Sequence, residues 1–108
     1  MFLTVSHRKL MEAERRSKAA GSLKTILAAH ARRLGGRYLL YGSAAKGTMT
    51  FDSDIDLLLD FPDETEAEAW RAAESACVAL GMEYDIMPLK WTKGRLRATV
   101  EATGLTLS

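Results

Sequence analysis

Cysteine, proline and long apolar runs are all scarce in this chain, and each scarcity excludes something. The single cysteine, Cys77, excludes an intramolecular disulfide framework and fits a reducing cytoplasm, where the protein is expected to act. The two prolines, Pro62 and Pro88, each stand at the end of an apolar run and read as strand ends. Uninterrupted apolar runs extend only a few residues, far short of the roughly 20 needed for a membrane-spanning helix, so no membrane association is expected. Residues 1–5 are apolar, but no basic segment precedes them and no small-residue cleavage site follows, so no secretory signal is expected. Charge of one sign is also lacking. A net charge of +1 provides no field over the whole surface, which argues against direct nucleic-acid binding.

What remains is ordinary globular composition, 47% hydrophobic and 27% charged, in 108 residues. That length supports one modest core, so a single domain over residues 1–108 is expected. Ser6 is expected to cap a first helix from His7 to about Ala20, with Gly21-Ser22 kinking or interrupting it. Leu23, Ile26, Leu27, His30, Ala31 and Leu34 then repeat at helical spacing, and Gly35-Gly36 stops the helix. Arg37 to Tyr41 reads as a strand running into a Gly42-Ser43 turn. Ala44 to Lys46 reads as a helical turn, and Gly47 to Ser53 as a loop. Ile55 to Phe61 is the second strand, Asp63 to Leu80 a helix with acids in its first turn, and Met82 to Met87 the third strand. Thr92 to about Ala102 reads as a basic last helix, and Leu105-Thr106-Leu107 as a short apolar tail. This order predicts an α/β (α+β) fold, a small mixed sheet of about three to four strands flanked by helices.

The chemistry concentrates at Tyr41-Gly42-Ser43, a ten-residue gap, and Asp54-Ile55-Asp56. Carboxylates at i and i+2 on a strand share one face, while Ile55, Leu57 and Leu59 point the other way into a core. Adjacent acids repel unless a cation lies between them, which points to a divalent metal. Asp85 is a lone acid in an apolar strand. If that strand pairs beside the second, Asp85 reaches the same face and completes a three-carboxylate site of the two-metal type. Asp60 lies roughly 13 Å beyond Asp56 along the strand and is expected to fall outside the site. Upstream, Gly42 lets the backbone approach a ligand, Ser43 adds a donor and Lys46 a cation within reach of a polyphosphate. A P-loop does not fit. Gly42 and Gly47 have its spacing, but Thr48-Met49 follow where Lys-Ser or Lys-Thr is required.

Taken together, the Gly42-Ser43 turn, the spaced Asp54 and Asp56, and the later Asp85 resemble the DNA polymerase β-like nucleotidyltransferase superfamily. The whole chain, with its leading helices, Ser43 to Gly47, Ser53 before the acids and the closing helix and tail, is similar to the minimal nucleotidyltransferases encoded beside HEPN-domain partners in prokaryotic toxin–antitoxin pairs. The resemblance implies that Gly42 and Ser43, with Lys46 and Ser53, bind the nucleotide. It implies that Asp54, Asp56 and Asp85 are catalytic and hold Mg²⁺, two ions in the full arrangement. Asp85 would either complete the second metal site or accept the proton of the attacking hydroxyl. ATP is the implied donor, and the implied acceptor is a HEPN-domain protein, held in a hetero-oligomer. Lys46 departs from relatives that carry arginine, keeping the charge but losing a bidentate grip.

Two other readings compete. A catalytically weak binding module would neutralise a HEPN ribonuclease by complex formation alone, using an exposed apolar start at Phe2, Leu3 and Val5. A small-molecule (antibiotic) nucleotidyltransferase ranks lower, because such enzymes usually carry a further domain. Of the remaining residues, His30 is read as a core-edge histidine, His7 as exposed, and Cys77 as inert core. Trp70, Trp91 and Tyr41 are read as packing residues first, with Trp91 keeping a claim on the nucleotide pocket.

Overall fold

A computed structural model describes residues 4–108. The expectation for Phe2 and Leu3 therefore lies outside the described residues, while Val5 is exposed. The first element is one long helix, α1 (Val5–Leu34), where the sequence suggested two. Gly21 has open space around it, and its intrinsic cost of about 1 kcal/mol is small beside the burial of Ala19, Ala20, Leu23 and Leu27 on either side. The expected cap also moves. Thr4, not Ser6, accepts the His7 N–H on its side-chain oxygen at 3.0 Å. Gly35 ends the helix at φ 76°, donating its N–H to the Ala31 carbonyl.

Strand β1 (Arg37–Tyr41) runs into the short helix α2 (Ser43–Lys46), and a loop leads to β2 (Ile55–Asp60). Helix α3 (Asp63–Ala79) crosses over to β3 (Tyr84–Pro88), and a 3₁₀ turn at Leu89–Trp91 leads to α4 (Gly94–Thr103). The last helix starts two residues later than expected, because Thr92 turns inward and donates its buried hydroxyl to the Leu89 carbonyl at 2.7 Å. The expected tail is a strand, β4 (Leu105–Leu107), with Leu107 buried in the core. Pro88 is the last residue of β3, on an edge strand that tolerates a missing N–H, and β3 begins at Tyr84, two residues later than expected.

The sheet order is β3-β2-β1-β4. β1 pairs antiparallel with both β2 and β4, and β2 pairs parallel with β3, so the sheet is mixed as expected. Alternation sorts its two faces. Tyr38, Leu40, Ile55, Leu57, Leu59 and Ile86 pack against Leu23, Leu27 and Ala31 of α1 and Ala69, Ala73 and Cys77 of α3. Tyr38 is wholly buried. Its hydroxyl donates to the Ala69 carbonyl at 2.8 Å, and its ring meets Phe61 edge-on at 4.8 Å. The other face is covered only in part, by Leu39, Leu58, Leu89 and Val100 with Tyr41 and Met87 beside them. The acids fall on that second face.

Candidate active site

Asp56 and Asp85 are direct register partners in the parallel β2–β3 pair, on strands about 4.8 Å apart. The condition set by the sequence, that the third strand lie beside the second, is met. Asp54 stands one residue before β2, and both peptide groups around it are held. The Ile55 N–H donates to the Glu83 carbonyl at 2.9 Å, and the Ser53 carbonyl accepts from Arg16 Nη1 at 2.6 Å. Asp54 and Asp85 are exposed and Asp56 is half-buried. Burial, then the negative charges of Asp85 and Asp54, push the Asp56 carboxyl above the usual range. The three acids therefore share one field, which a cation would relieve.

Gly42 backs this cluster. Its φ of 73° and ψ of −153° lie where side-chain-bearing residues are not accommodated, and a Cβ there would stand 2.6 Å from Asp56 Oδ2. The turn and the acids are thus one construction: β1 ends at Tyr41 opposite Asp56, and glycine alone lets the chain leave past that carboxylate. Ser43 opens α2 half-buried, and no side-chain hydrogen bond caps the helix, so its first amides have no side-chain acceptor. Lys46 is exposed in the last turn of α2. The Ser53 hydroxyl is occupied in the loop: it accepts the Thr50 N–H at 2.7 Å and lies 3.1 Å from the Thr50 hydroxyl.

Asp60 stays apart, as expected, paired with Arg37 at 2.7 Å. Trp91 follows β3 at the end away from Asp85 and meets Trp70 at 5.7 Å, so its claim on the nucleotide pocket is not supported. His30 is half-buried, with Nδ1 3.0 Å from Arg33 Nη2, and His7 is exposed. Cys77 is fully buried, which pushes its thiol up to about 11 and keeps it inert.

Two residues of this region carry no local signal strong enough to find them. Tyr41, read as core, shares the face of Asp56 and Asp85. Burial first, then those two charges, raise its phenol, so it remains a protonated donor at neutral pH. Pairing the first two predicted strands would have placed it there. Arg16 reaches the site only through tertiary packing.

The donor set suits Mg²⁺, which takes hard carboxylate oxygens such as those of Asp54, Asp56 and Asp85. Among the described residues, no group of three or more His, Cys, Asp or Glu side chains stands close enough to hold a metal as the rotamers lie. The backbone register aligns the acids, and closing on an ion requires their side chains to turn toward one another.

A mixed four-stranded sheet flanked by helices, with a glycine turn packed against aligned strand acids, defines an α+β protein of the nucleotidyltransferase architecture. The family model described as "Nucleotidyltransferase domain" matches residues 22–102, and the chain belongs to that family. That membership agrees with the polymerase β-like superfamily suggested by the spacing of Gly42, Asp54, Asp56 and Asp85. Comparison with curated proteins gave no match.

Proposed function

We propose that this chain is a Mg²⁺-dependent nucleotidyltransferase that moves a nucleoside monophosphate, AMP from ATP, onto a protein partner. In this reading it acts in the cytoplasm as the antitoxin of a HEPN-domain toxin and forms a hetero-oligomer with it. The observation that carries the catalytic part is the register pairing of Asp56 with Asp85, with Asp54 beside them and Gly42 packed on Asp56. The protein acceptor rests on the resemblance to minimal nucleotidyltransferases.

Asp54, Asp56 and Asp85 would hold Mg²⁺, which when bound neutralises phosphate charge and sharpens the acceptor oxygen as a nucleophile. Gly42 and the uncapped amides at Ser43 receive the β and γ phosphates, and Lys46 offsets their charge. Asp85, exposed at the start of β3, takes the acceptor hydroxyl proton or serves as a ligand. The acceptor oxygen attacks the α-phosphate in line, its O–P bond forming as the bond to the departing pyrophosphate breaks. The chain supplies position and charge rather than a covalent intermediate.

One observation favours a second reading. The acid side chains do not converge as they lie, which suits a binding module whose catalysis is weak and which silences a HEPN ribonuclease by complex formation. Co-expression separates the two. The enzyme reading expects the partner to gain the mass of one AMP, and growth rescue to fail with Asp54→Asn plus Asp56→Asn. Rescue that persists in the double variant, with an unmodified partner, overturns it in favour of binding.

A further inference from the structure

The geometry points to Arg16 as a positioning residue for this site: its guanidinium, steadied by Glu12, bolts the Ser53–Asp54 peptide to α1 and so fixes where Asp54 meets the other acids. The inference rests on Asp54 being a metal ligand.

Asp54 stands one residue before β2, after the loop from Gly47 to Ser53, so the sheet ladder reaches only the peptide on its C-terminal side. Within that loop the bonds are local. Thr50 and Ser53 close a turn on each other, and the Thr50 hydroxyl donates to Asp52 at 2.7 Å. Met49 of that loop packs on the core and the Phe51 ring lies 4.6 Å from Lys9 Nζ of α1, but neither contact holds the peptides that flank Asp54. Two bonds do that for Asp54, one on each flanking peptide. The Asp54–Ile55 peptide donates its N–H to the carbonyl of Glu83, the residue before β3, and the carbonyl of the Ser53–Asp54 peptide accepts from Arg16. With both peptides anchored, φ and ψ of Asp54 are set from either side, and its Cβ is aimed at the face of Asp56.

The state of Arg16 separates it from a solvated surface arginine. Its side chain is 12% exposed against 46% for neighbouring Arg15. Nη1 is given to Ser53, and Nε is paired with Glu12 at 3.0 Å, one turn earlier on the same helix. Hydrogen bonds from Arg15, then Arg16, hold the Glu12 carboxyl down to about 2, so the brace is charged throughout the neutral range. Glu12 and Arg16 both precede residues 22–102, the stretch matched by the family model. The first half of α1 thus contributes support from outside the matched stretch.

The test uses the full chain and Mn²⁺ as the probe, with free Mn²⁺ followed by electron paramagnetic resonance. Residues that orient a ligand typically change metal affinity 10- to 100-fold, so Arg16→Ala is expected to weaken Mn²⁺ binding about tenfold. Arg16→Lys should recover part of that loss. Arg33→Ala, which breaks an α1–α3 ion pair away from the site, should bind as the wild type does. Hydrogen exchange of the metal-free chain reads the bolt directly. Arg16→Ala should speed exchange at the Ser53 and Ile55 amides while leaving Tyr38 and Leu40 protected. Wild-type Mn²⁺ affinity in Arg16→Ala, or unchanged exchange at Ser53 and Ile55, overturns the inference. A wild-type chain that binds no Mn²⁺ overturns the metal reading instead, and exchange then decides the bolt alone.

Discussion

Removing the charge of Asp56 should stabilise the metal-free protein. Asp56 is half-buried, faces Asp85 across one strand spacing and has Asp54 two residues away. At about 6 Å and an effective dielectric of about 20, one such repulsion is about 3 kcal/mol. Asp54 and Asp85 are exposed, however, and solvent cuts exposed pairs to about 0.2–1 kcal/mol each. Two neighbours and the partial burial of Asp56 together leave about 1 kcal/mol to be gained by Asp56→Asn, a rise in Tm of about 4 °C for a chain of this size. The sign follows from linkage. The folded-state pKa of Asp56 is raised, so its penalty is fully present above that pKa and is lost as pH falls toward the ordinary value of 3.8. Thermal unfolding in EDTA should therefore show the variant above the wild type at pH 7.5, with the two converging below about pH 4. Raising the salt to about 1 M should narrow the gap at pH 7.5. Excess Mg²⁺ should reverse the order, because it stabilises only the chain that binds it. A variant equal to or less stable than the wild type in EDTA at pH 7.5 would refute the shared-field argument.

Other substitutions probe neighbouring parts of the account. Gly42→Ala places a Cβ 2.6 Å from Asp56 Oδ2 on a backbone reserved for glycine, so it should cost about 1–3 kcal/mol by urea unfolding. By displacing that carboxylate it should also slow transfer about 100-fold. Asp60→Asn breaks only the half-exposed Arg37 pair and should change stability by less than about 1 kcal/mol, leaving the transfer rate at the wild-type value. Leu107→Ala empties a core position supplied by the last strand and should destabilise by about 2 kcal/mol or more, measured by chemical denaturation.

The fold class and the strand face that carries the acids were legible in the sequence, whereas several element boundaries were not. Alternation in Asp54 to Leu59 separates acids from core residues without tertiary information, and the glycine turn marks the strand end beside them. Those signals are local, and the strand pairing preserved them. Boundaries set by packing were less readable. Gly21-Ser22 looks like a break until Ala19, Ala20, Leu23 and Leu27 are seen packed on one continuous face. Leu105 to Leu107 looks like a tail because three residues make a strand only when β1 offers an open edge. Arg16 was beyond reach, since its partner lies 37 residues away on a loop and nothing in its neighbourhood distinguishes it from Arg15. Thr4 and Ser6 both satisfy the rules for a helix cap, and only the geometry at His7 chooses between them.

The most direct test of the central claim compares ATP labelled at the α-phosphate with ATP labelled at the γ-phosphate, each incubated with Mg²⁺, the chain and its co-purified partner. Nucleotidyl transfer by Asp54, Asp56 and Asp85 predicts that α-label is retained on the partner, with equimolar pyrophosphate released. It also predicts that Asp54→Asn combined with Asp56→Asn abolishes both. Retention of γ-label, or α-label transfer undiminished in the double variant, would contradict the account.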